Sequence, residues 1–274
     1  MARRARKFRR KRNEGLGLAT TGGILGIIAI AGIVSLLYLR SNIETTILDK
    51  NTLCDTTKKV DNVVAILIDT TDKLSSRTSR HVEKYFENFL VHLPVNSKIS
   101  VYEVSGISVE LNRPIISLCK PDDGSNANGM ISNPEMIKKT FKSKFSLPLK
   151  EKLDSIMKNK TSDSTPLIES IQSAVVESFL DYPEASSKQI ILVSDLLQHS
   201  DLYSFYSERP DYEGFFKKTK ELGKGFVNLR GIKIHFLVAP SKVPVGTRHD
   251  VIKFWNDFMI KNHAEPGSTM EPLS

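Results

Sequence analysis

Residues 62–72, Asn-Val-Val-Ala-Ile-Leu-Ile-Asp-Thr-Thr-Asp, constrain this chain more than any other stretch. Six consecutive apolar residues, 63–68, rich in β-branched side chains, stop abruptly at Asp69. Such a run offers no polar face to water. It predicts a strand buried on both sides, as in the middle of a parallel sheet with helices above and below. Open α/β sheets bind ligands in the crevice beyond the carboxyl ends of their strands. Asp69, Thr70, Thr71 and Asp72 fall there, so function turns on what joins that cluster.

The rest of the chain supplies the partners of such a strand. Val82, Tyr85, Phe86, Phe89, Leu90 and Leu93 recur at three- and four-residue steps, the inward stripe of a helix over 76–93. Residues 98–104 alternate as a strand should, and 114–118 is a short apolar run. Pro121-Asp-Asp-Gly-Ser-Asn-Ala-Asn-Gly129 is turn-rich; its two aspartates lack the spacing and closing Glu of a calcium loop. A lysine-rich amphipathic helix is predicted over 131–160, its charges a solvated face. Thr165-Pro166 predicts a helix start, Thr165 as N-cap and Pro166 at the first position, followed by an Ile168, Ile171, Val175, Phe179 stripe. Residues 189–195 form a second apolar strand ending on a carboxylate, Asp195, and 231–238 a further strand. A closing helix over 250–260 turns Val251, Phe254, Trp255, Phe258 and Met259 inward. Strands alternating with helices predict an α/β fold with a doubly wound, mostly parallel sheet.

Composition matters chiefly at the amino terminus. The chain of 274 residues carries a formal charge of +8, yet residues 3–12 alone hold eight bases and no acid. The remaining 31 bases balance 31 acids, so the folded part is neutral and needs no acidic partner. Residues 15–39 contain no charge and are mostly Ile, Leu, Ala and Gly. A helix of that length spans roughly 37 Å, more than the ~30 Å hydrocarbon core. Tyr38 and Arg40 stand at its far end as interfacial anchors do, and no small-x-small cleavage site follows, against a signal peptide. The excess of bases ahead of the span places the amino terminus in the cytoplasm and the domain outside, periplasmic or extracellular. Gly22-x-x-x-Gly26 within the span is a spacing that lets helices pair, a route to an oligomer. The predicted organisation is a basic tail 1–14, a transmembrane helix 15–39, a linker 40–61, a domain 62–265 and a tail 266–274.

Asp69 with Thr71, Thr165 ahead of a helix, and Asp195 at a later strand end together resemble the von Willebrand factor A domain, in the membrane-anchored bacterial type. The hallmarks of that family are an Asp-x-Ser/Thr-x-Ser strand end, a Thr at a Thr-Pro-Leu-like helix start and a later strand ending in Ser/Thr-Asp. The resemblance covers residues 60–265. It implies a metal-ion-dependent adhesion site with Asp69, Thr71, Thr165 and Asp195 around Mg²⁺, hard oxygen donors for a hard cation. Lys73 stands where the motif closes with Ser. Its ammonium either fills the cation's place between Asp69 and Asp195, or turns outward while Asp72 or Ser75 completes the set. The site is thus degenerate, and a protein partner at the carboxyl edge of the sheet is the implied ligand.

Cys54 and Cys119 are the two cysteines. Outside the cytoplasm an isolated pair tends to oxidise; a bridge and two buried thiols both remain open. None of the six histidines has paired-ligand spacing, no nucleophile motif or Gly-rich phosphate loop is present, and His199 alone lies near the ligand edge. The sequence therefore predicts no enzyme. It predicts a single-pass envelope protein used for protein binding and assembly. The alternatives are a structural subunit of a larger envelope machine with a vestigial site, and nucleic-acid tethering by the basic tail, the less favoured of the two.

Overall fold

Strand β1 (Asn62–Asp69) occupies the middle of the sheet because both of its faces must be covered. Val63, Ala65 and Leu67 pack into one core, Val64, Ile66 and Ile68 into another, and all six are fully buried. The computed structural model of the chain describes residues 23, 26–35, 37–38, 46–104, 106, 113–125, 127, 132–158, 162–224, 226–241, 243 and 245–273. The chain divides into two units, Met1–Thr46 and Ile47–Ser274. In the second, β2 (Lys98–Val104) and β4 (Ser187–Ser194) flank β1, both parallel to it. Beyond β4 come β5 (Ile232–Val238) and β6 (Thr269–Pro272), also parallel. β3 (Ile116–Cys119) closes the other edge, antiparallel to β2. The order is β3-β2-β1-β4-β5-β6. It reverses direction between β1 and β4, the switch point where doubly wound sheets open a crevice.

Among the described residues of this unit, six α-helices accompany the sheet: α1 (Ser76–His92), α2 (Pro134–Phe141), α3 (Leu147–Lys158), α4 (Leu167–Phe179), α5 (Tyr212–Leu222) and α6 (Val245–Lys261). On one face α4, α5 and α6 bury Ile168, Ile171, Phe215, Phe254, Trp255 and Phe258 against Ala65, Leu67, Ile190 and Leu192. On the other, α1 and α3 bury Val82, Phe86, Leu149 and Leu153 against Ile66, Ile68, Ile191 and Val193. Ser75 caps α1 by accepting from Thr78 N at 3.1 Å. The buried Lys120 ammonium closes its other end on the carbonyls of Val91 (3.1 Å) and Leu93 (2.8 Å), where the helix dipole is negative.

Several expectations are corrected. The single helix over 131–160 is interrupted by a π turn, Lys142–Ser146, between α2 and α3. Pro148 has no N–H to offer the carbonyl four residues back, and Leu147 N bonds Lys142 O instead, five residues back. Residues 266–274, expected as a tail, supply β6, and Leu273 is buried with its N–H on Val238 O at 2.8 Å. Residues 47–61, expected as a linker, belong to the folded unit. They form a strap at the amino edge of the sheet: Cys119 N bonds Thr52 O at 2.7 Å and Asp55 N bonds Asn96 Oδ1 at 2.9 Å. A disulfide joins Cys54 to Cys119, Cα atoms 4.7 Å apart.

The basic tail, Gly22 and residues 40–45 lie outside the described residues, as does much of the expected span 15–39. Residues 26–35 of that span are helical, with Ile27, Ile28, Ile30, Ile33 and Val34 exposed. Among the described residues no helix is long and apolar enough to cross a membrane.

Candidate functional site at the carboxyl edge of the sheet

The switch between β1 and β4 brings Asp69, at the end of β1, beside Ser194 and Asp195, at the end of β4. Asp69 is buried, and its two oxygens are used separately. Oδ1 accepts from Thr71 N (3.0 Å) and Thr71 Oγ1 (2.7 Å); Oδ2 accepts from Ser194 Oγ (2.7 Å). Thr165 Oγ1 donates to Thr71 Oγ1 at 3.0 Å. Thr165 is therefore not the N-cap of α4. Pro166 occupies the cap position without a side-chain bond, and Gln198 Oε1 serves the helix instead, accepting from Ile168 N at 3.0 Å.

A short antiparallel bridge holds Thr165 in place, with Thr165 N on His199 O (2.7 Å) and His199 N on Thr165 O (2.9 Å). The Gln198 amide nitrogen reaches back to Glu169 Oε2 (3.1 Å) and Ser200 Oγ (2.9 Å), tying the loop after β4 to α4. His199, the histidine expected near this edge, has its Nδ1 2.8 Å from Ser204 Oγ and its ring edge-on to the exposed Tyr206.

Asp195 Oδ1 accepts from Leu197 N at 3.0 Å. The next residue, Leu196, adopts φ +69°, a left-handed conformation costing an L-residue roughly 1–2 kcal/mol. The turn is held from three sides: Leu196 N on Ser194 Oγ (2.9 Å), Trp255 Nε1 on Leu196 O (2.9 Å), and a fully buried leucine side chain. Strain of this kind persists only where surrounding structure over-determines it, and it gathers at functional sites.

The cluster opens into a cleft of about 460 Å³ lined by Asp69, Asp72, Lys73, Ser75, Asp195 and Ser241, among others. Burial holds the Asp69 carboxyl above the usual range, although the hydrogen bonds from Ser194 and Thr71 pull it down; the charge of Asp72 adds to the rise. Burial likewise pushes Asp195 up to about 6, helped by the charges of Asp69 and Asp72 and opposed by the Leu197 N–H. Burial and then the same three carboxylates raise the Tyr206 hydroxyl, so this ring sits in the site's field. Lys73 is exposed, and among the described residues no ion pair joins it to Asp69 or Asp195. Ser75 is occupied as the cap of α1.

The structure thus gathers Asp69, Thr71 and Thr165 into one hydrogen-bonded set with Asp195 beside it, while Lys73 lines the mouth. Among the described residues, no three His, Cys, Asp or Glu side chains converge as a metal cluster. Any cation would rest on two carboxylates and hydroxyls, the hard donor set that suits a partly hydrated Mg²⁺. Sequence reasoning missed Ser194, Ser241 and the Leu196 turn. Ser194 was legible as the polar residue ahead of Asp195; Ser241 needed the knowledge that β5 ends beside β4.

Ser194→Ala removes a donor from a buried carboxylate and an acceptor from a strained N–H. It is expected to lower stability by about 1–2 kcal/mol, read from urea unfolding at pH 7. An unchanged midpoint would mean the hydroxyl supports neither group.

These features define an open, doubly wound α/β domain with an acidic, hydroxyl-lined ligand edge. No family model matches the chain, and no curated protein matches it. Among solved structures it is similar to the crystal structure of the SpRpn10 VWA domain, at 11% identity over 78% of this chain and 90% of that one, TM-score 0.39. It is also similar to a von Willebrand factor type A structure from Catenulispora acidiphila, at 12% identity and TM-score 0.37, covering 71% of this chain and 37% of that one.

Proposed function

We propose that this chain is a membrane-anchored von Willebrand factor A-like protein that binds a protein partner at the cell envelope, through Mg²⁺ held at the carboxyl edge of its sheet. One observation carries the reading: two carboxylates of raised affinity for protons, Asp69 and Asp195, open into one cleft with no cation paired to them among the described residues, and Asp69 is hydrogen-bonded to Thr71, whose hydroxyl is linked to that of Thr165. Asp69, Thr71, Thr165 and Asp195 would hold the ion directly or through water, and the ion would supply an open position for an acidic group of the partner. The uncharged run 15–39 supports a single-pass anchor with the amino terminus inside. The Cys54–Cys119 bridge supports a domain on the oxidising side. Binding, rather than catalysis, is the role assigned to this edge, because the sequence joins no nucleophile motif and no paired-ligand histidine spacing to it.

The test uses the full-length protein in detergent. Mg²⁺ is expected to raise the melting temperature relative to chelator, by the equivalent of about 2.7 kcal/mol at a hundredfold excess over Kd. The shift should vanish in Asp195→Ala, and capture of the partner from membranes should fail in chelator. A melting temperature indifferent to millimolar Mg²⁺ would instead favour a structural subunit whose site is vestigial.

A further inference from the structure

We propose that the end of α5 and the loop leading into β5 dock on an anionic lipid surface, an inference that rests on the anchored reading above. Segment 214–230 carries Lys217, Lys218, Lys220, Lys224 and Arg230 against one acid, Glu221. Lys218 is drawn to Glu208 at 2.6 Å, while Lys217, Lys220, Lys224 and Arg230 are exposed. Among them stand three large apolar side chains open to water: Leu222 at 54%, Phe226 at 51% and Phe216 at 37% exposure.

These are not core residues displaced outward. The inner stripe of α5 is already complete in Tyr212, Phe215 and Thr219, all buried. Phe216 and Phe226 meet edge to face at 5.8 Å, and the Lys220 ammonium lies 6.0 Å from the Phe216 ring centroid. The Gln172 amide nitrogen holds the Phe226 carbonyl at 2.9 Å, so the ring is presented from a tethered backbone. Phenyl and leucyl groups bordered by lysines are the chemistry of an interfacial contact, with rings at the headgroup–acyl boundary and long stems reaching phosphates. Each basic residue near an anionic surface raises the surface-association constant roughly fivefold.

Position favours the same occupant. The loop precedes β5 as the 47–61 strap precedes β1, so both lie at the amino edge of the sheet, where the chain enters the domain. Under the anchored reading, the chain enters the domain at this edge from its membrane-spanning segment. Docking there would turn the carboxyl edge, with its cleft, away from the membrane.

The chain has one tryptophan, Trp255, fully buried, so Phe226→Trp adds a single exposed reporter. The full-length variant would be reconstituted into vesicles with brominated acyl chains, of phosphatidylcholine alone or mixed with phosphatidylglycerol. The expected result is quenching of the added tryptophan in the anionic vesicles, lost when Lys217, Lys220 and Lys224 are changed to Glu, while Trp255 emission stays constant. Phe216→Trp should behave alike. Protein that floats with the vesicles but shows no quenching, or is quenched equally in both lipids and in the Glu variant, would overturn the docking and leave the anchor intact. Protein that stays soluble and fails to float would overturn both.

Discussion

Reduction of the Cys54–Cys119 bridge is expected to cost the folded domain about 4 kcal/mol, the chain-entropy value for a loop closed over 65 residues. The loop contains β1, α1, β2 and β3, half of the sheet, so the bridge limits how far the unfolded chain can spread. In the folded state the strap keeps other ties. Leu53 is buried, Thr52 O accepts from Cys119 N, and Asn96 Oδ1 accepts from Asp55 N. The reduced protein should therefore fold, with a lower urea midpoint and a steeper slope, because its unfolded state exposes more surface. Cys54→Ser/Cys119→Ser should match the reduced parent without added reductant. Equal midpoints in both redox states would show that the bridge constrains nothing the strap does not already hold. Because the bridge sits at the amino edge, the Mg²⁺ response should survive reduction.

The parts of this fold that could be read from sequence are those where burial leaves one choice. β1, and β4 over Ile190–Val193, are apolar on both faces, and an unbroken run leading to a carboxylate has few other readings. The stripes of α1, α4 and α6 follow from helical spacing for the same reason. What escaped is structure stabilised by backbone pairing or by a single distant partner. β6, Thr-Met-Glu-Pro, is an exposed edge strand whose pattern resembles any polar tail. The 47–61 strap is held by turns and one bridge rather than by a stripe. Thr165 satisfied every local rule for an N-cap, yet its hydroxyl meets Thr71, 94 residues away, because the site needs it more than the helix does. Gln198 could take over the helix end only because the loop after β4 returns to it. In the site, residue identity was legible and side-chain direction was not: Lys73 and Ser75 could be placed near the cleft, but not which of them points away.

Asp195→Asn is expected to stabilise the metal-free protein at neutral pH, an unusual sign for a change at a functional residue. In the folded state Asp195 titrates at about 6, against 3.8 as the reference, chiefly because burial disfavours its charge. A carboxyl with a raised folded-state pKa holds its proton in the folded chain where the unfolded chain has released it. Its contribution is fully present below about pH 3.8 and is lost as pH rises through about 6. At pH 7 the charge has been forced into the site, at a cost of about 2–3 kcal/mol. Asn keeps the acceptor for Leu197 N without the charge. The variant should therefore unfold at higher urea than the parent at pH 7 in chelator, and the gap should close as pH falls toward 4. The Asp69 charge is one of the causes that raise Asp195, and like-charge repulsion is mutual, so the variant also relieves the buried Asp69 carboxylate. Mg²⁺ acts in the opposite direction. It offsets the like-charge repulsion that the parent carries and the variant lacks, so saturating Mg²⁺ should shrink or invert the difference. A variant less stable than the parent at pH 7 in chelator would show that Asp195 is held by a partner charge, and the cleft would then be a closed ionic lock rather than a site waiting for a cation.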